Sequence, residues 1–207
     1  MRGDAELPLP MRPAGLKGRL FGTVMERLNR PCYRKVLELL DPRPNQHFIE
    51  IGFGTGKLVE LLLDAAAGVH VAGVDPTETM LEVALGRRVV ARAADRVDLR
   101  LGADHPLRWP DETFHGAAAL HSFQFWPDPR RTLSELLRVL RPGRLLVLAL
   151  RDHSARAPSW LPNPVSRSDD EVLGTLRLLE EVGFEGVTRG EPAGHSTTVV
   201  AVKPPHR

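Results

Sequence analysis

An apolar run ending on three alternating glycines constrains this chain more than any other feature. Phe48-Ile49-Glu50-Ile51 leads into Gly52-Phe53-Gly54-Thr55-Gly56-Lys57, and a leucine-rich amphipathic segment follows from Leu58 to Leu63. That order predicts strand, tight turn and helix, the first βα unit of a nucleotide-binding sheet. Glycines at such a turn adopt backbone angles closed to other residues and let a ligand approach the main chain. The spacing is E-x-G-x-G-x-G, whereas a dinucleotide fingerprint needs G-x-G-x-x-G. Counted from Gly52 the third glycine position holds Lys57, and counted from Gly54 it holds Val59. Both registers fail, which argues against an NAD-linked oxidoreductase.

Strand and helix patterns alternate from residue 47 onward. Strands are expected near 47–51, 69–74, 97–101, 114–120 and 144–150, and helices near 56–66, 77–92 and 128–140. Several strands are short apolar runs without polar alternation, which suits parallel strands covered on both faces. Asp128-Pro129 offers an N-cap and a first-turn proline, and Leu133, Leu136, Leu137 and Leu140 form one stripe. A C-terminal helix opens on Ser168-x-x-Glu171, a capping box, and closes on Gly183-Phe184. Strands near 185–190 and 196–202 follow. Ahead of the sheet, Leu16, Leu20, Val24 and Leu28 predict one helix, and Tyr33, Val36, Leu37 and Leu40 a second, with Pro31 in its first turn. Residues 1–14 are proline-rich and are expected to be a mobile tail. The expected fold is α/β: a doubly wound, mostly parallel seven-stranded sheet with an N-terminal helical hairpin and right-handed crossovers. Ligands on such a sheet bind at the carboxyl ends of the strands.

The chain of 207 residues suffices for one such domain. Its net charge is only +2, and its basic residues are interleaved with acids, so no stripe for nucleic acid is present. The single cysteine, Cys32, excludes an intramolecular disulfide framework and a cysteine-based metal cluster. No stretch approaches the ~20 apolar residues of a membrane span. The N-terminus lacks the apolar region of a signal peptide, so a cytoplasmic location is expected.

The second strand ends on Asp75, about twenty residues after the last glycine, the interval expected of a ribose-binding acid. A carboxylate there can accept both ribose hydroxyls. The alternative is a cap for the next helix, which Pro76-Thr77 would support. Met80 follows one turn on, suited either to an adenine face or to the core.

The E-x-G-x-G-x-G strand end resembles the first motif of the class I S-adenosylmethionine-dependent methyltransferases. Two further stretches are similar to the type-11 methyltransferase domain. Leu107-Arg108-Trp109-Pro110-Asp111-Glu112-Thr113-Phe114-His115 follows L-P-F-P-D-x-S-F-D, departing at Arg108 and His115. Glu135 and Arg138-Val139-Leu140-Arg141-Pro142-Gly143-Arg144 follow E-x-x-R-V-L-x-P-G-G, departing at Arg144. The resemblance covers about residues 45–150. It implies S-adenosyl-L-methionine as cofactor and S-adenosyl-L-homocysteine as product, with Glu50, Gly52, Gly54, Gly56 and Asp75 at the cofactor. It further implies an acid facing the adenine amino group, for which Asp104 stands one place later than the family pattern. A helix before the first motif covers the cofactor in this family, making Tyr33 a candidate lid residue; packing against the sheet is the alternative. His115 inherits no role and reads as structural. The whole then divides into a tail (1–14) and a single methyltransferase domain (15–207): N-terminal helices (15–44), cofactor-binding core (45–150), and a lid loop, C-terminal helix and strands (151–207).

The implied reaction is methyl transfer to a small-molecule acceptor. Its sulfonium donor is already reactive, so aligning the acceptor is the protein's main task. Where a base is needed, His121, His153 and Asp152 stand at the expected carboxyl ends of the fourth and fifth strands. The two histidines are expected to titrate near neutral pH. His121 can alternatively pack against the cofactor. Phe123, Trp126 and Trp160 can line an apolar pocket, and residues 151–167 form the expected lid. No G-x-S-x-G, H-E-x-x-H, P-loop or C-x-x-C pattern is present, and no Asn/Asp-Pro-Pro-aromatic motif follows the fourth strand. The competing reading is a cofactor-binding or interaction protein that has lost turnover, suggested by Arg108, His115 and Arg144.

Overall fold

The computed structural model describes residues 26–151 and 166–206. The expected tail, most of the helix expected over Leu16 to Leu28, nearly all of the expected lid over 151–167, and Asp152, His153 and Trp160 within it, lie outside them. Residues 26–28 are helical and lead through Asn29 into α1 (Arg30–Leu40), with Pro31 in its first turn. Asp41 takes a left-handed conformation and ends α1 by donating its N–H to the Leu37 carbonyl. Then come β1 (His47–Ile51), α2 (Lys57–Ala65), β2 (His70–Asp75), α3 (Glu78–Leu85), α4 (Arg88–Arg92), β3 (Val97–Leu101) and β4 (Phe114–Leu120). α5 (Pro129–Val139), β5 (Leu140–Arg151), α6 (Asp169–Val182), β6 (Glu185–Pro192) and β7 (Ser196–Val202) complete the domain.

The seven strands form one sheet in the order β3-β2-β1-β4-β5-β7-β6. β1 to β5 are mutually parallel, and β7 runs antiparallel to both β5 and β6. The direction of winding reverses between β1 and β4, so the crevice at a doubly wound sheet's switch point opens above the end of β1. Successive residues of a strand face opposite sides. Phe48, Val71, Ala118, Val147 and Ala149 therefore pack under α1, α2 and α4 with Val36, Leu58, Leu62 and Val90. Ile49, Ile51, Ala117, Leu146 and Leu148 pack under α5 and α6 with Leu133, Leu136, Val172 and Leu179. Each fully buried leucine or isoleucine contributes roughly 1.5–3 kcal/mol. The capping box of α6 is formed as expected, and Gly183 closes that helix in a left-handed conformation.

Two expectations change. The single helix expected over 77–92 is two helices, broken at Gly86 and Arg87. Glycine in a helix interior costs about 1 kcal/mol relative to alanine. Arg87 leaves the helical region (φ −66°, ψ 133°) and gains three acceptors. Its Nε donates to the Thr55 carbonyl at 2.7 Å, Nη1 to Glu60 at 3.0 Å and Nη2 to Glu26 at 2.5 Å. β5 also begins four residues earlier than expected. Gly143, with φ of 71°, turns the chain so that its N–H reaches the Lys203 carbonyl, while Lys203 returns an N–H to Arg144.

Candidate functional site

The turn after β1 is built on left-handed glycines. Gly52 (φ 75°) donates to the Val74 carbonyl at 2.8 Å, which ties the turn to β2. A Cβ at Gly52 would lie 2.4 Å from the Ser122 Cβ, and one at Gly56 2.7 Å from the Ala84 Cβ. Gly54 (φ 51°) differs: a Cβ there would meet nothing within 4 Å. Its bare backbone therefore faces open space, as a main chain that cradles a ligand must.

Asp75 closes β2 beside this turn and is 5% exposed. One carboxylate oxygen accepts the Gly54 N–H and the other the Thr77 N–H, each at 2.9 Å. Burial raises its pKa, and these two backbone bonds oppose the rise. Thr77, rather than Asp75, is the N-cap of α3. Asp75 instead fixes the glycine turn against the strand end, and the Thr77 side chain adds a third hydrogen bond to its carboxylate.

Glu50, on β1, is 2% exposed, and its Oε2 has no hydrogen-bond partner. Burial drives its pKa well above the usual carboxylate range, and the charge of Asp75 adds to that. An unsatisfied buried carboxyl is expensive unless a ligand completes it. Tyr33, half-buried on α1, lies close enough to Glu50 and Glu26 that both carboxylates add to the upward shift burial imposes on its phenol. α1 thus covers the same face of the sheet that Glu50 occupies. Met80 is buried at 4% exposure on α3. Asp104 follows β3, but the Thr132 hydroxyl donates to its carboxylate at 2.5 Å and His105 Nδ1 lies 3.3 Å from it. It is therefore anchored to α5.

His121 follows β4 with φ of 54°. Its Nε2 is 2.6 Å from the Ser196 hydroxyl on β7. Burial, with the nearby charge of Arg151 added, pushes its pKa down to about 3. The expectation that His121 titrates near neutral pH is thus corrected: it is neutral there and a weak base. The Cys32 thiol lies against Ser196 and is pushed up to about 11 by burial. Phe123 and Trp126 meet edge to face at 5.0 Å, but both are packed into the core beneath α5 and α6.

Sequence reasoning missed Arg87, Ser122 and Arg151, none of which stands in a recognisable spacing. It also left the E-x-x-R pair without a task. Glu135 accepts the Leu107 N–H, and Arg138 donates to the carbonyls of Leu107 and Trp109, so the pair clamps the segment before β4. The three departures from the family pattern lie away from the turn. Arg108 and Arg144 are exposed, and Arg144 is free of positive φ. His115, at the amino end of β4, accepts the His47 N–H through Nδ1 at 3.1 Å, a structural task. Among the described residues no cluster of His, Cys, Asp or Glu is placed to hold a metal ion, and no helix is long and apolar enough to cross a membrane.

Residues 49–148 match the family described as "Methyltransferase domain". A demethylmenaquinone methyltransferase of Symbiobacterium thermophilum is 43% identical over 106 residues, covering 49% of this chain and 41% of that protein. The O-methyltransferase cnsE of Penicillium expansum is 30% identical over 164 residues, covering 73% of this chain and 56% of that protein. The chain thus spans about half the length of these relatives. Among solved structures, a SAM-dependent methyltransferase from Aquifex aeolicus superposes with a TM-score of 0.70 at 23% identity, covering 85% of this chain and 92% of its own, which is a likeness of fold.

Proposed function

Because residues 49–148 match the methyltransferase-domain family, we propose that this chain transfers a methyl group from S-adenosyl-L-methionine to a small-molecule acceptor. The observation that carries the reading is the conjunction at the end of β1: the bare Gly54 backbone, tied to Asp75, beside the unsatisfied carboxyl of Glu50. These groups suit this cofactor. Asp75 presents its carboxylate at the strand end where ribose hydroxyls would lie. Gly54 admits a nucleoside against the main chain, while Gly52 and Gly56 let the turn pack against Ser122 and Ala84. Glu50 offers a carboxylate to a cationic amino-acid end, and Tyr33 lies close to it. The cofactor supplies an electrophilic methyl group on a sulfonium.

What remains for the protein is positioning and exclusion of water, which together supply several kcal/mol of a transfer barrier. His121 serves as a neutral, oriented wall of the site rather than as a strong base. Asp104, held by Thr132, supports the loop after β3 instead of reading the adenine. The named relatives include a demethylmenaquinone enzyme and an O-methyltransferase, which supports an acceptor of the phenol or hydroquinone type. A cytoplasmic site of action is part of the reading, in keeping with a free, buried cysteine.

Purified protein tests this directly. At ~100 times Kd, S-adenosylhomocysteine should stabilise the fold by about 2.7 kcal/mol, and NAD should not. S-adenosylhomocysteine release should then appear with some member of a panel of phenols, amines and quinone precursors. Stabilisation by NAD alone would overturn the cofactor. Cofactor binding without release on any acceptor would favour a protein that has lost turnover.

A further inference from the structure

Arg151 is the last residue of β5 and is only 4% exposed. It lies two positions beyond Ala149, so it faces the side of the sheet that α1 covers. Its Nη2 reaches Asn29 Oδ1 at 3.5 Å, at the limit of a hydrogen bond, and its Nε has no partner. Burial lowers its pKa, and among the described residues no carboxylate opposes that shift; only the thiol of Cys32 does. A buried guanidinium that meets no counter-charge among the described residues is costly to keep charged. Two neutral groups flank it. Ser196 is its register partner on β7, and the Ser196 hydroxyl is occupied by His121. The carboxyl end of β5 adjoins that of β4, which adjoins β1 and its glycine turn. Arg151 therefore stands one strand beyond the cofactor crevice, at the same carboxyl ends of the strands.

We propose that Arg151 anchors an acceptor that binds as an oxyanion, and that this charge replaces the general base. The inference rests on the methyltransferase reading above. The acceptor's acidic group gives its proton to solvent as it binds, and the guanidinium stabilises the anion that remains. A lone pair of that anion forms the new bond to the methyl carbon while the carbon–sulfur bond breaks. The departing pair stays on sulfur, so a sulfonium and an anion become two uncharged centres. His121, a weak base bonded to Ser196, is not needed as a proton acceptor in this step. An ionised phenol or enol and a carboxylate share the required chemistry.

The test uses the full chain saturated with S-adenosylhomocysteine and reads affinity from thermal shifts. The probes are 4-nitrophenolate against neutral 4-nitroanisole, and benzoate against benzamide. An anion should bind more tightly than its neutral partner, and Arg151→Gln should weaken it about 10- to 150-fold while leaving the S-adenosylhomocysteine shift unchanged. Preference for the phenolate would identify phenols or enols, and preference for benzoate a carboxylate. Arg151→Lys keeps the charge but loses the planar fork, so it should keep the preference at reduced affinity. Equal binding of anion and neutral partner, or a preference that survives Arg151→Gln, would overturn the proposal. So would loss of the anion preference in a folded Arg151→Lys, a readout that serves if the Gln variant does not fold. Failure of S-adenosylhomocysteine itself to stabilise the wild type would instead remove the reading on which it rests.

Discussion

Arg87 Nε donates to the Thr55 carbonyl at 2.7 Å, joining the break between α3 and α4 to the glycine turn. The same guanidinium pairs with Glu60 on α2 and with Glu26 ahead of α1. One side chain thus holds the turn, the helix behind it and the start of the covering segment.

Arg87→Ala should lower stability by about 1–3 kcal/mol, the scale of losing hydrogen bonds to charged groups in a partly buried setting. Glu60 keeps Lys57 at 2.8 Å, which limits the loss. Cofactor affinity should fall as well, since the turn loses its anchor. Arg87→Lys should rescue little, because one ammonium does not reproduce a planar fork with three acceptors. Urea unfolding together with calorimetry of S-adenosylhomocysteine binding checks both parts. Full rescue by lysine would show that charge alone matters.

Asp75→Ala should weaken S-adenosylhomocysteine binding about 10- to 150-fold, the equivalent of ~1.5–3 kcal/mol. Gly54→Val should be worse, because its Cβ would occupy the open space over the turn at a φ that valine rarely adopts. Calorimetry on variants with unchanged circular dichroism decides. An unaltered Kd in Asp75→Ala would leave that residue with only its structural bonds to Gly54 and Thr77.

Glu50 couples binding to protons. Burial holds its carboxyl well above the ordinary range, so the free site favours the protonated form, and a cationic ligand favours the carboxylate. Binding of S-adenosylmethionine should therefore release a proton and tighten as pH rises through the elevated pKa. Calorimetry in buffers of different ionisation enthalpy measures the release. Glu50→Gln should abolish it, and proton release that persists in this variant would assign the effect elsewhere.

His121 links stability to acid. Its folded pKa of about 3 lies below the ordinary 6.5, so its contribution is complete above pH 6.5 and is lost as pH falls toward 3. The loss is roughly 1.4 kcal/mol for each pH unit below the ordinary value. His47 and His115, also depressed chiefly by burial, act in the same direction. The melting temperature should drop between pH 7 and pH 5, and His121→Gln should shrink that drop. A drop of equal size in the variant would transfer the effect to the other histidines. The pH profile of kcat should likewise lack an inflection near neutrality from this ring.

The strands were legible because parallel strands buried on both faces have only apolar runs to be made from. Ala117, Ala118 and Ala119 on β4 and Leu146, Val147 and Leu148 on β5 leave no other reading. The glycine turn and Asp75 were legible through spacing. The break at Arg87 was not, because its acceptors come from residues 26, 55 and 60 and its local pattern is that of a continuous helix. The depressed His121 was equally hidden. Its environment is made by Ser196 and Arg151, which the fold brings together from β7 and β5. Asp104 stood within one place of an expected position, and only the Thr132 hydroxyl on α5 shows where its carboxylate is held.

The strand order also sets a timetable. β1 lies inside the sheet, beside its central strand β4, and the neighbour that completes it is β4, through Phe48 opposite Gly116. A chain leaving the ribosome from its N-terminus offers β1, β2 and β3 first, so the apolar flank of β1 waits while some sixty residues more are synthesised, at about 5–20 residues each second. The nascent half-sheet spends seconds with its most hydrophobic edge open. Holding that interval free of misassembly falls to α1 and α2, which are already made and lie across the same strand.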